Sequence, residues 1–256
     1  MLEITQEQVA AALQAVGVQP GDGLLVHSAV QFLGRPLGGI GIYHAALSDC
    51  TIAVPTFNFA FARGQAYDPE STPSDKMGAF SEYIRQLPGT RRTPHPMQSL
   101  AVAGKYAADL ASRDTPSAFD PGSAFERMLE LDFKLLLLGA DIQAVSMLHY
   151  SEQRLQVPYR YWKEFSGQVK TASGWEQRTY RMFARDLELD AQIELYPVQR
   201  RLEQLGQWRS TALNYGLVAC CRLTDFVAAI DTFLRADPWS LLVNRQEALR
   251  IYQQRL

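Results

Sequence analysis

Thr5 opens an amphipathic stretch that runs to Val16 and stops at Gly17, with Thr5 and Gln8 spaced as a capping box. Beyond it, short apolar runs alternate with segments of helical period. Residues 24–27, 51–54, 100–103 and 135–138 are runs of strand length with mostly apolar side chains, the pattern of buried strands. Between them, 42–47, 74–87, 106–111 and 124–130 carry helical spacing. In the second of these, Met77, Phe80, Tyr83, Ile84 and Leu87 recur at that spacing, and Ser74 is the expected cap. Further on, 167–171 and 176–183 alternate around Ser173-Gly174, which predicts a hairpin. A helix at 198–205, a strand at 217–221 and an amphipathic helix at 224–234 complete the pattern. The predicted class is α/β: a single domain over residues 1–256, with a central mixed sheet flanked by helices and an antiparallel excursion near residues 165–195.

The strand at 135–138 leads into Gly139-Ala-Asp141-Ile-Gln-Ala-Val-Ser146-Met-Leu-His149-Tyr-Ser-Glu152. If a helix starts after the turn at Asp141, Ser146, His149 and Glu152 lie three residues apart each time and share a face. A hydroxyl, an imidazole and a carboxylate at the mouth of a buried strand are the parts of a general-base site. The plainer reading is a helix whose polar face happens to carry these residues. A metal reading of His149-x-x-Glu152 lacks a convincing third ligand, so no metal is expected. A second cluster is Arg91-Arg92-Thr93-Pro94-His95-Pro96-Met97-Gln98-Ser99, whose prolines hold an extended corner. His95 on that corner reads as scaffold or pocket wall.

Composition narrows the class. At 256 residues, 47% hydrophobic, 20% charged and with a formal net charge of −2, the chain has no electrostatic case for nucleic acid or membrane partners. No apolar run approaches the ~18 residues of a membrane span, and the N-terminus lacks a basic, signal-like start. The expected location is the cytoplasm. Cys50, Cys220 and Cys221 read as reduced, buried and structural rather than as acyl-carrying nucleophiles.

Across roughly residues 6 to 243, the chain resembles the aminoglycoside 3-N-acetyltransferases, a coenzyme-A-dependent family distinct in fold from the GNAT enzymes. The likeness is carried by short pieces in a shared order. They begin with Gly21 to Ser28, Leu33-Gly34, Gly38-Gly39 and Val54-Pro55-Thr56-Phe57. Tyr67-Asp68-Pro69, Thr72-Pro73, Met77-Gly78 and Arg91 to Ser99 follow. Leu136 to Gly139, Ser146 to Glu152, Asp225-Phe226-Val227 and Asp237-Pro238 complete the series.

The resemblance implies acetyl-CoA as co-substrate and a small-molecule amine as partner, with a homodimer left open. It puts coenzyme-binding elements in the first half, at Ser28, Ala29, Leu33 and Gly34 with Ser99 as a further contact, and a catalytic helix near 145–156. The segment 46–52 is shorter than the family usually shows. Amide formation requires an amine that has lost its proton, which casts His149 as general base, Glu152 as its orienting partner and Ser146 as a hydroxyl donor near the oxyanion. The family most often has threonine where Ser146 stands, and its neighbouring asparagine and serine are Val145 and Met147 here.

For the acceptor, Asp68 and Asp141 are the expected acidic contacts. The basic, aromatic stretch 153–163 adds Arg160 as a contact that suits a neutral or anionic amino sugar. The expected reaction is acetyl transfer to an aminoglycoside or related amino sugar. Alternatives are acylation of a nucleotide-linked amino sugar in surface-polysaccharide or natural-product biosynthesis, a metal-assisted hydrolase, and a binding protein without turnover.

Overall fold

The computed structural model describes residues 2–255. In its first half the chain forms β1 (Glu3–Ile4), α1 (Gln6–Ala15), β2 (Gly23–Ser28), β3 (Arg35–Pro36), α2 (Gly41–Ala45), β4 (Thr51–Pro55), α3 (Ala79–Gln86), β5 (Arg91–Arg92), β6 (Leu100–Ala103), α4 (Ala107–Ala111) and α5 (Ala124–Glu130). The second half forms β7 (Lys134–Leu138), α6 (Leu148–Leu155), β8 (Arg160–Thr171), β9 (Gly174–Arg185), α7 (Tyr196–Gln204), β10 (Arg209–Leu213), β11 (Gly216–Arg222), α8 (Leu223–Ala236) and α9 (Arg245–Gln253). The central sheet has seven strands in the order β10-β11-β7-β2-β4-β6-β5. Its middle, β7-β2-β4, is parallel, and antiparallel pairings extend it on both sides.

Strand alternation divides the core in two. Leu24, Val26, Leu136 and Leu138 face α1, α2 and α3, while Leu25, Leu135 and Leu137 face the layer containing α4 to α9. Adjacent Cys220 and Cys221 fall in opposite layers for the same reason, so one cannot bridge to the other. His27 follows Leu25 by two residues and therefore points into the layer that holds α6.

The capping box forms as expected: Thr5 Oγ1 accepts the Gln8 amide and Gln8 Oε1 accepts the Thr5 amide. The second predicted helix differs. α3 begins at Ala79, because Gly78 takes a left-handed backbone (φ 91°) and interrupts the period. Ser74, the expected cap, instead gives its amide and hydroxyl to Glu82 (3.2 and 2.9 Å). The antiparallel excursion is longer at its start and shorter at its end than expected. It pairs Arg160 with Arg185 and packs Val169 and Tyr180 on Phe61, Tyr67 and Met97. Among the described residues, no helix is long and apolar enough to cross a membrane.

Candidate active site

The loop leaving β7 builds the site in two steps. Asp141 Oδ1 accepts the Gln143 amide at 2.8 Å and caps a single 3-10 turn, Ile142–Ala144. The chain then extends at Val145, and α6 starts only at Leu148. Ser146 therefore lies outside the helix, and the expected three-residue face reduces to His149 and Glu152. These two sit one turn apart, with His149 Nδ1 and Glu152 Oε2 at 2.6 Å.

Glu152 is fully buried, and Arg160 at the start of β8 brings Nε to 2.8 Å from the same Oε2. The two form a buried ion pair. Burial pushes the Glu152 carboxyl up, but the Arg160 charge and the His149 contact outweigh it and hold it below the ordinary value. An ionised carboxylate only accepts, so Nδ1 carries the proton and Nε2 is the ring nitrogen left for the cavity. The Phe119 ring stands edge-on to His149 at 6.0 Å.

His149 borders a cavity of about 600 Å³ with His27, Ser146, Phe57, Phe59 and Met77. The cavity lies at the carboxyl ends of the parallel strands: His27 comes from β2, Pro55 from β4, and Gln143 to His149 from the segment after β7. His27 Nε2 is 3.5 Å from Ser146 Oγ, and burial pulls the His27 ring down to about 4, so it is neutral at pH 7. Sequence reading did not single out His27. The available signal was a histidine near the end of a central strand.

The sequence profile of the aminoglycoside 3-N-acetyltransferase family matches residues 25–235. The chain belongs to that family. It is accordingly a coenzyme-A-dependent N-acetyltransferase. Aminoglycoside N(3)-acetyltransferase III from Salmonella sp. is 31% identical over 254 residues, covering 86% of this chain and 87% of the relative. The fold matches an AAC-IIIb enzyme solved with coenzyme A, at a TM-score of 0.78 and 23% identity over 92% of this chain and 97% of the other. It also matches AAC-VIa bound to sisomicin, at a TM-score of 0.79 and 22% identity over 92% and 98%.

The other residues that sequence reading singled out in this family member are dispersed. Ser28 ends β2 with its hydroxyl buried and without a partner among the described residues. Ala29 gives its amide to the Leu138 carbonyl, and Leu33 is core. Gly34 (φ 101°) packs where a Cβ would come within 2.6 Å of the Leu2 carbonyl, so its conformation serves the N-terminal segment. Ser99 is buried, donating to the Thr56 carbonyl at 2.8 Å and accepting from Arg92 Nε at 3.0 Å.

Asp68 pairs with Lys170 at 3.0 Å beside a second cavity of about 750 Å³, which shares no lining residue with the first. Asp141 is exposed next to Gln143, where it also accepts the Tyr196 hydroxyl at 3.0 Å. Arg160, expected at the acceptor, stands behind Glu152 and also donates to the Phe183 carbonyl. Burial pushes the Cys50 thiol up to about 11 and Cys220 up to about 12, and Cys221 is raised as well.

Proposed function

We propose that this chain moves the acetyl group of acetyl-CoA directly to a primary amine of an aminoglycoside-type amino sugar, with His149 as general base. The observation that carries this reading is the 2.6 Å contact of His149 Nδ1 with the buried Glu152 carboxylate at the cavity wall. The attacking amine must be unprotonated and must lose one further N–H proton as its bond to the thioester carbon forms. His149 Nε2 takes that proton, and Glu152 stabilises the resulting imidazolium.

Negative charge builds on the carbonyl oxygen, and the Ser146 hydroxyl is the proposed donor, backed by neutral His27. When the C–S bond breaks, its electron pair goes to sulfur. The imidazolium proton then neutralises the thiolate, leaving an amide and free coenzyme A. The raised thiols favour this route over an acylated cysteine. The unpartnered hydroxyl of Ser28 supports a coenzyme contact at the end of β2.

One observation favours a second reading of the acceptor. Phe57, Phe59, Met77, Leu148, Ile193 and Leu195 line the cavity, and no carboxylate does among the described residues. Such walls suit the ring faces of a less cationic amino sugar, including a nucleotide-linked one, better than a polycation. The test is thiol release from acetyl-CoA across sisomicin, monoamino sugars and nucleotide-linked amino sugars. Turnover of sisomicin with kcat/KM of roughly 10⁴ M⁻¹s⁻¹ or more is the expected result. A preference of about tenfold or more for a nucleotide-linked acceptor selects the second reading, and thiol release with no amine in the panel overturns both.

A further inference from the structure

We propose that Gln143 is a specificity-determining residue for the acceptor: its side-chain amide, fixed at the cavity wall, selects a sugar oxygen there and disfavours an ammonium. This rests on the reading of the cavity beside His149 as the acceptor's site. The polar side chains on its wall are His27, Ser146, His149 and Gln143. In that reading the first three serve the reacting groups, which leaves Gln143 for recognition. His27 and Ser146 are buried, whereas Gln143 is exposed and stands toward the solvent side.

The fold fixes which end of this amide a ligand meets. Gln143 Oε1 accepts the backbone amide of Leu195 at 2.9 Å. A backbone N–H only donates, so the oxygen is the end turned to Leu195 and the NH2 is the end left over. Leu195 is buried and caps the start of α7, so its amide has no partner inside the helix. Turning the Gln143 amide over would set NH2 against that buried donor and leave it unsatisfied. A second tie joins the same segments: Asp141 accepts both the Gln143 backbone amide at 2.8 Å and the Tyr196 hydroxyl at 3.0 Å. The 3-10 turn and the start of α7 therefore hold Gln143 as one unit.

The chemistry of the remaining end is one-sided. An amide NH2 donates and does not accept, so it suits a hydroxyl or ring oxygen of a sugar. Against an ammonium, donor meets donor, and the cation loses water without gaining a partner. The neighbouring wall, Ala144, Ile193 and Leu195, is apolar and offers a cation no alternative. Asp141 and Glu194 flank these residues in sequence, but neither lines the cavity. An acceptor is thus sorted by the group it places beside Gln143.

The test is an isosteric swap. Gln143→Glu keeps an oxygen for the Leu195 amide and puts a carboxylate oxygen, an acceptor, where the NH2 stands. Arg200→Gln changes the net charge by the same amount at an exposed site on α7 and controls for the general field. Dissociation constants are measured by calorimetry at pH 7 on the whole chain loaded with coenzyme A. The ligands are sisomicin and two matched pairs, neomycin with paromomycin and kanamycin B with kanamycin A. Each pair exchanges one amine for one hydroxyl.

Gln143→Glu should tighten sisomicin by about fivefold or more, the upper range for a single solvent-accessible ion pair. It should also raise the amine-over-hydroxyl preference in at least one pair by about as much. Arg200→Gln should stay within about twofold of wild type throughout. A sisomicin gain below about twofold, or one matched by Arg200→Gln, overturns the proposal, as does a preference unmoved in both pairs. Thiol release separates this from the proposed function. Wild-type turnover with unmoved Gln143→Glu constants sinks only the selectivity. Shifted constants with no thiol release leave the selectivity standing and overturn acetyl transfer.

Discussion

His27 and His95 show how residue environment sorts four histidines into different roles. His95 Nδ1 accepts the Gln98 amide at 3.2 Å, so its proton sits on Nε2, 3.3 Å from the Arg181 carbonyl. The Tyr180 ring lies edge-on to it at 5.0 Å, which makes His95 a joint between the proline corner and the hairpin. That scaffold role was legible, because the flanking prolines fix the corner. His27 was not, because a lone histidine in an apolar run gives no sign of what packs over it. Burial pulls both rings from 6.5 to about 4. Between those values the unfolded chain binds protons that the fold refuses, so stability falls as pH drops from 6.5 to about 4. Below that window the two histidines add no further slope. Each contributes on the order of 3 kcal/mol over it. Glu152, held low, has the opposite chemistry: its contribution is present above its ordinary value and is lost as pH falls through its folded one. Denaturant melts across pH should show the slope and a shallower one in His95→Gln. A wild-type stability that is flat from pH 7 to 4.5 contradicts this account.

At the scale of elements, the helix of the site was legible in kind but not in its start. Asp141 signals a turn, yet nothing in the apolar spacing of 142–147 tells a 3-10 turn and an extended link from the first turns of an α-helix. The late start takes Ser146 off the helical face and brings it within 3.5 Å of His27. Sequence makes Arg160 an acceptor contact, because the turn that brings it onto buried Glu152 is not revealed by spacing along the chain. Gly139 sets where this segment begins. Its φ is 74°, and a Cβ there would stand 2.6 Å from the Ala29 carbonyl, joining the ends of β7 and β2. Gly139→Ala should destabilise the fold by on the order of 2 kcal/mol or more. It should also lower kcat, since the loop bearing Ser146 must shift. A variant that melts and turns over like wild type would show that this close approach is dispensable.

The whole molecule follows from a rule that the sequence does carry: apolar runs buried on both faces form the middle of a sheet between two helical layers. The parallel centre, β7-β2-β4, brings residues more than a hundred positions apart to one end, and the cavity with His27, Pro55, Ser146 and His149 lies there. Strand order was not legible, because pairing partners leave no local trace. β10 leaves little trace because it is mostly exposed, whereas α9 does carry an apolar face through Ala248, Leu249, Ile251 and Tyr252. The packing of Leu33 into the core and the hydrogen bond from Arg92 to Ser99 likewise leave no local trace in the sequence. The proposed function rests on the His149–Glu152 dyad at the cavity wall, and its most direct test is the kcat of His149→Ala. It should be measured with saturating acetyl-CoA and the amine that wild type acetylates best, from pH 6 to 9. The account predicts a loss of about 10²–10⁴ in kcat near neutral pH with little change in the KM for acetyl-CoA. A kcat within about twofold of wild type would contradict it.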